Sequence, residues 1–188
     1  MVSFQEIYKE HLYTMKQVLK LADDIEKAVG LVATTLKQGG KILTAGNGGS
    51  ASDAMHFSSE LIGRLDVNRR SYASICLSAD PSVLTCISND YGYASVFRRQ
   101  LEGLMNPNDC FIGFSSSGQS ENILEALKYA KSVNVKSISY LGKGGGQCKG
   151  IADVDLIVQS NSTARIQEAH ILITHSICKM AQEIIEGI

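Results

Sequence analysis

An α/β fold, built on a parallel five-stranded sheet with helices on both faces, is what this 188-residue sequence predicts. Five short apolar runs recur along the chain, at Lys41–Ala45, Tyr72–Leu77, Cys110–Phe114, Lys136–Leu141 and Val154–Val158. They are apolar almost throughout rather than alternating, the pattern of strands buried on both sides. Between them lie segments with the three-four spacing of amphipathic helices, and strands that alternate with helices make parallel crossovers.

Each element has its own signal. Phe4, Ile7, Tyr8, Leu12, Met15, Leu19, Ala22, Ile25 and Val29 form one apolar face, which predicts a long first helix over about residues 3–37. Gly39-Gly40 ends it before the first strand. The strand then breaks into Gly46-Asn-Gly-Gly-Ser50, followed by a helical pattern over Ser50–Arg64. Further helical patterns cover Ser82–Ile87, Tyr93–Met105, Gln119–Ser132 and Gly146–Ala152. Asn161-Ser-Thr163 supplies capping residues for a final helix with the stripe Ile166, Ala169, Ile173, Ile177, Met180 and Ile184. No repeat, linker or low-complexity tract interrupts the chain, so residues 1–188 read as one domain. The two end helices exceed what a small sheet needs as cover. Packing on the sheet is the simpler account of them. A helical oligomer interface is the sharper one, favoured because Tyr8, Leu12 and Met15 add apolar surface far from the strands.

Composition narrows the function. A formal charge of −1 gives no whole-chain attraction to nucleic acid or to an anionic membrane surface. No apolar run approaches the ~20 residues needed to cross a bilayer. Met1-Val-Ser-Phe-Gln-Glu lacks the basic and apolar regions of a secretory signal. Cys76, Cys86, Cys110, Cys148 and Cys178 are an odd, scattered set without a C-x-x-C, which suits buried thiols in a reducing cytoplasm better than disulfides. The expectation is a soluble cytosolic domain, with neither nucleic acid nor membrane as a partner.

Two loops have the composition of a phosphate site. Gly46-Asn-Gly-Gly-Ser-Ala51 satisfies G-x-G-x-x-[GA], but the acidic residue that a dinucleotide fold needs at the end of its second strand is missing, because Asp66 precedes that strand and Asp80 lies too far along. There is no Walker lysine. The second loop, Ser115-Ser-Ser-Gly-Gln-Ser-Glu121, also follows a strand and opens a helix. Its hydroxyls beside helix N-terminal N–H groups suit a phosphate monoester, and ordinary N-capping would need only one serine. Both loops follow parallel strands and so converge on the carboxyl edge of the sheet, where open α/β folds bind ligands. Asn89-Asp90 reads either as further polar contacts to sugar hydroxyls or as a turn before Tyr91-Gly92.

Acid, base and metal-ligand types follow the first loop and recur on the last helix. His56 and Glu60 stand at i and i+4, on one face, starting just after the glycine loop, and are expected to face the crevice or its rim. Gln167, Glu168, His170 and His175 interrupt the apolar stripe of the terminal helix. On an ideal helix His175 projects about 20° from Glu168 and about 80° from Gln167. Periodicity thus permits a Gln167–His175 site without demanding one.

Three stretches together resemble a known family: Gly46-Asn-Gly-Gly-Ser-Ala-Ser-Asp-Ala-Met-His-Phe-Ser-Ser-Glu-Leu61, the loop Ser115-Ser-Ser-Gly-Gln-Ser120, and Arg165-Ile-Gln-Glu-Ala-His170 followed by His175. They resemble bacterial phosphoheptose isomerases of the sugar-isomerase (SIS) superfamily. The serine loop marks the superfamily; the other two are much more discriminating. The resemblance implies a flavodoxin-like, doubly wound sheet and a homotetramer with active sites between subunits. It implies interconversion of sedoheptulose 7-phosphate and D-glycero-D-manno-heptose 7-phosphate, for surface-polysaccharide heptose such as that of lipopolysaccharide or capsule. By position, His56, Glu60, Gln167 and His175 match a zinc (Zn2+) site, and Glu60 and His175 an acid/base pair. Asn47, Gly48, Gly49, His56, Glu60, Asn89, Asp90, Ser115, Ser116, Ser117, Ser120 and Gln167 match substrate contacts. The rivals are a noncatalytic SIS adaptor that binds a replication initiator, which would need no intact acid/base and metal set, and an isomerase of another phosphosugar.

Overall fold

A computed structural model describes residues 2–187. Seven α-helices and five strands follow one another among the described residues: α1 (Phe4–Val18), α2 (Ala22–Lys37), β1 (Ile42–Gly46), α3 (Gly49–Ile62), β2 (Ser74–Cys76), α4 (Pro81–Tyr91), α5 (Val96–Leu104), β3 (Cys110–Ser115), α6 (Glu121–Ser132), β4 (Lys136–Gly142), β5 (Val154–Val158) and α7 (Thr163–Glu186). All strand pairs are parallel, in the order β2-β1-β3-β4-β5. This is the doubly wound α/β sheet that the strand pattern and the resemblance imply. Its order reverses between β1 and β3, the two strands that carry the glycine and serine loops. Gly46 pairs with Phe114 in register, so both loops leave neighbouring strands at one end of the sheet.

Two apolar layers hold the helices on. Val32, Leu36, Phe57, Leu61, Phe114, Tyr140, Ile166, Ile173 and Ile177 pack beneath α2, α3 and α7 on one face. Leu43, Phe97, Leu101, Phe111, Ile123, Leu127 and Leu141 pack beneath α5 and α6 on the other. The inner strands β1 and β3 are buried at every residue, which explains why their sequences do not alternate. A buried hydroxyl cluster fixes α3 on the sheet: Thr44 Oγ1 donates to the Ala54 carbonyl at 2.9 Å and lies 2.9 Å from Ser58 Oγ, which accepts from Ser74 Oγ at 2.9 Å.

Three elements depart from the sequence-based expectation. The first helix is two helices, separated by a 3-10 turn at Leu19–Leu21. Tyr72–Leu77 contributes a strand of only three residues, as expected of an edge strand paired on one side. Gly146–Ala152 is not a helix. The chain instead makes a 3-10 turn over Lys143–Cys148, with Gly144, Gly145 and Gly146 all at positive φ. A Cβ on Gly146 would lie 2.5 Å from the Gly118 carbonyl oxygen, so this glycine run lets the turn pack directly against the serine loop. No helix among the described residues is long and apolar enough to cross a membrane.

Candidate functional site

The site is laid out along α3 and α7, which lie side by side and run in the same direction. Three rungs mark the pairing. At the loop end, the amide of Gln167 sits over Gly49, whose Cβ, if present, would lie 2.2 Å from Gln167 Nε2. One turn on, Asp53 Oδ2 is 3.9 Å from His170 Nδ1. A turn further, His56 Nε2 is 2.8 Å from His175 Nε2. Glu60 Oε1 joins that third rung, 3.3 Å from His56 Nε2.

His56, Glu60 and His175 therefore form one cluster, their ligating atoms all within 4.8 Å of one another. Two imidazole nitrogens at 2.8 Å need either one shared proton or one cation between their lone pairs. Glu60 Oε2 is buried and finds no hydrogen-bond partner among the described residues. Two histidines and a carboxylate with a spare oxygen are a donor set that fits zinc with an open position. The set is partly accessible, with His56 38% and Glu60 14% exposed at the side chain.

The cluster stands away from the glycine loop, further along α3. A helix that starts at the carboxyl edge runs back down the sheet, and seven residues from Gly49 to His56 amount to about 10 Å. Gln167 is likewise eight residues from His175, about 12 Å along α7. Within one chain the amide thus belongs with the loops, and the His56–Glu60–His175 group stands two turns away.

The loops gather hydroxyl groups at the start of α6. Ser115 Oγ lies 2.9 Å from Ser120 Oγ, and Ser117 Oγ accepts from the Gln119 N–H at 3.1 Å. Ser116 and Ser117 are half-buried beside the start of α6, whose first N–H groups and dipole favour negative charge. Asn47 is half-buried, and Gly48 and Gly49 are exposed at the start of α3. Asn89 and Asp90 are both exposed in the last turn of α4, where Asn89 Nδ2 donates to Asp90 Oδ1 at 2.8 Å. Among the described residues their side chains make no hydrogen bond to either loop. Tyr93, just beyond them, does, through its hydroxyl to Asn47.

The sequence does not single out Asp53, Asn122 or Tyr93, and it offers His170 only within the polar cluster of the last helix. Asp53 and His170 are 5% and 0% exposed, and Asn122 3%. Burial alone pushes Asp53 up to about 6, and burial pushes His170 down to about 4. Asn122 and Tyr93 both bond Asn47. The available signal is a polar side chain at a helix position whose periodicity points inward: Asn122 stands four residues before the buried Ala126.

Comparison with known proteins agrees with this architecture. The SIS domain family profile matches residues 7–142. The phosphoheptose isomerase of Campylobacter jejuni is 48% identical over 176 residues, covering 94% of this chain and 95% of that one. The solved phosphoheptose isomerase of Neisseria gonorrhoeae superposes with a TM-score of 0.89 at 37% identity, over 96% of this chain and 100% of that one. That of Francisella tularensis also superposes at 0.89, with 32% identity and 97% and 100% coverage.

Proposed function

Because the chain belongs to the phosphoheptose isomerases of the SIS-domain family, we propose that it interconverts sedoheptulose 7-phosphate and D-glycero-D-manno-heptose 7-phosphate by proton transfer along α3 and α7. The observation that carries the mechanism is the meeting of His56, Glu60 and His175 from two separate helices. Aldose–ketose isomerisation moves a proton between C1 and C2 through an enediol, so it needs a base for the carbon-bound proton and a partner for the oxygen. Glu60, with a buried oxygen that no other group occupies, takes the carbon-bound proton. His175 carries the oxygen proton. His56, Glu60 and His175 would hold zinc, which when bound supplies Lewis acidity toward the sugar's carbonyl and hydroxyl oxygens. Ser115, Ser116, Ser117 and Ser120 grip the phosphate at the start of α6, and that remote binding orients the reacting end. Asn47, Gly48, Gly49, Asn89, Asp90 and Gln167 contact the sugar.

Gln167 bears on assembly. As a fourth zinc ligand it would have to come from a second protomer, because in its own chain it is about 12 Å along α7 from His175. A homotetramer with sites between subunits meets that requirement. The exposed apolar side chains of α1, Phe4, Tyr8 and Leu12, supply surface for it. Five free cysteines and a sugar-phosphate substrate support a cytoplasmic location, and the product serves surface-polysaccharide heptose synthesis.

Incubation of the purified protein with sedoheptulose 7-phosphate tests the reading. The wild type is expected to form an aldose phosphate, a chelator to suppress turnover, and Glu60→Gln to abolish it while phosphate binding persists. A Glu60→Gln enzyme with a nearly normal rate would remove Glu60 from its role, and a wild type inert toward this sugar would remove the assigned substrate.

A further inference from the structure

Asn47 and Asn122 face each other as a reciprocal amide pair. Asn47 Nδ2 donates to Asn122 Oδ1 at 2.9 Å, and Asn122 Nδ2 donates to Asn47 Oδ1 at 2.9 Å. The Tyr93 hydroxyl donates a third bond to Asn47 Oδ1 at 2.7 Å. An asparagine side chain has two N–H donors and two acceptor lone pairs. On Asn47 both lone pairs and one N–H are therefore engaged from within the chain. In a reciprocal amide pair the bonded hydrogen is the one on the carbonyl side of the nitrogen, so the remaining N–H points away from Asn122.

The two partners sit in different elements. Asn47 belongs to the glycine loop after β1, and Asn122, 3% exposed, to the first turn of α6 beyond the serine loop. Tyr93 stands after α4, 56% exposed, with its hydroxyl on Asn47. The three bonds thus join every segment that borders the switch point of the sheet on the side of α4 and α6.

We infer that Asn122 and Tyr93 are positioning residues of the isomerase site, holding Asn47 so that it offers the sugar a single N–H donor and no acceptor. The group so selected is an oxygen lone pair of the substrate, on its carbonyl or on a hydroxyl that accepts. Without these partners the Asn47 amide is free to rotate and present its oxygen, which would favour a donor instead. The same pair holds the glycine and serine loops in one register, so the grip on the phosphate and the contact with the sugar are set together. This inference rests on the phosphoheptose isomerase reading above.

Steady-state kinetics with sedoheptulose 7-phosphate separate the two claims. Wild type, Asn122→Ala, Asn122→Asp and Tyr93→Phe are compared, with zinc content and melting temperature measured on each. Asn122→Ala is expected to lower kcat/KM roughly tenfold or more, mostly through KM, with zinc content unchanged. Tyr93→Phe removes one of the bonds and is expected to cost a few-fold. Asn122→Asp keeps the shape and the fold. As a carboxylate it accepts from Asn47 but cannot donate back, whereas the protonated acid restores both bonds. Its kcat/KM relative to wild type should therefore recover as pH falls from about 8 to about 5.5, the range over which a buried carboxyl takes up its proton. Should Asn122→Ala fail to fold, the Asn122→Asp profile carries the test. Unaltered KM and kcat in Asn122→Ala, or an Asn122→Asp deficit constant with pH, would overturn the inference while leaving the reaction assigned. A wild type without turnover would overturn the reaction and the inference with it.

Discussion

Asp53 and His170 face each other between α3 and α7, and their titrations oppose one another. His170 Nε2 donates to the Leu141 carbonyl at 3.2 Å, which leaves Nδ1 toward Asp53. Asp53, raised to about 6, favours the folded state in acid; its contribution is full below its ordinary value of about 4 and is lost as pH rises through about 6. His170, lowered to about 4, works in the other sense; its contribution is full above about 6.5 and is lost as pH falls through about 4. Each amounts to roughly 3 kcal/mol, so between about pH 4 and 6.5 the two offset. Asp53→Asn uncovers the histidine. Its unfolding free energy is expected to fall by roughly 3 kcal/mol more than that of the wild type between pH 7 and 4, in urea titrations of chelated protein. Parallel curves for the two proteins would show that the pair does not titrate in this way. Asp53 is not singled out for chemistry by the sequence. Asp53 lay inside the discriminating stretch and His170 inside the polar cluster of the last helix, but the contact across 117 positions exists only once α3 and α7 are packed.

At the level of elements, the end of α3 decides where Glu60 stands. That helix lacks a basic residue in its last turn, and Arg69 from the following loop supplies one. Its Nη2 donates to the Glu60 carbonyl at 2.6 Å and its Nη1 to those of Leu61 at 2.9 Å and Gly63 at 3.2 Å. Nε reaches Gln182 of α7 at 3.1 Å, and the guanidinium lies 4.0 Å over the Tyr72 ring. Helix C-terminal carbonyls favour a cation, and the planar fork satisfies several at once. Arg69→Ala is expected to cost about 2 kcal/mol, seen as a melting temperature lower by roughly 4–8 °C, and to reduce kcat by loosening Glu60. Arg69→Lys, with one point charge in place of the fork, is expected to recover only part of this. An unchanged melting temperature in Arg69→Ala would rule out the capping role. The helix itself was legible from its glycine start and apolar spacing. Its cap was not, because Arg69 is nine residues from the carbonyl it meets and nothing in the intervening loop has a period.

At the level of the whole molecule, the α1 face remains. Phe4, Tyr8 and Leu12, spaced by four, are 78%, 52% and 43% exposed, and Phe4 and Tyr8 stack with centroids 6.3 Å apart. Met15, which the sequence grouped with them, instead packs against the core. A helix with apolar side chains on its outer side as well as its inner one is suited to a second copy of the chain. Leu12→Glu is expected to yield a lighter species by light scattering with native circular dichroism and, under the proposed assembly with sites between subunits, to lose isomerase activity. A variant of wild-type mass and full activity would exclude this face as the interface. The sequence by itself determined the parallel sheet, the glycine and serine loops at its carboxyl edge and the helices that carry His56, Glu60 and His175, since strand burial, glycine and serine loops and helical spacing are local patterns that a period or a motif reveals. Only the tertiary structure decided which polar groups meet: His56 and Glu60 with His175, Asn47 with Asn122, and Gln167 with Gly49 rather than with the histidines. Those choices depend on how far α3 slides along α7 and how two loops from neighbouring strands abut, and long-range packing sets both.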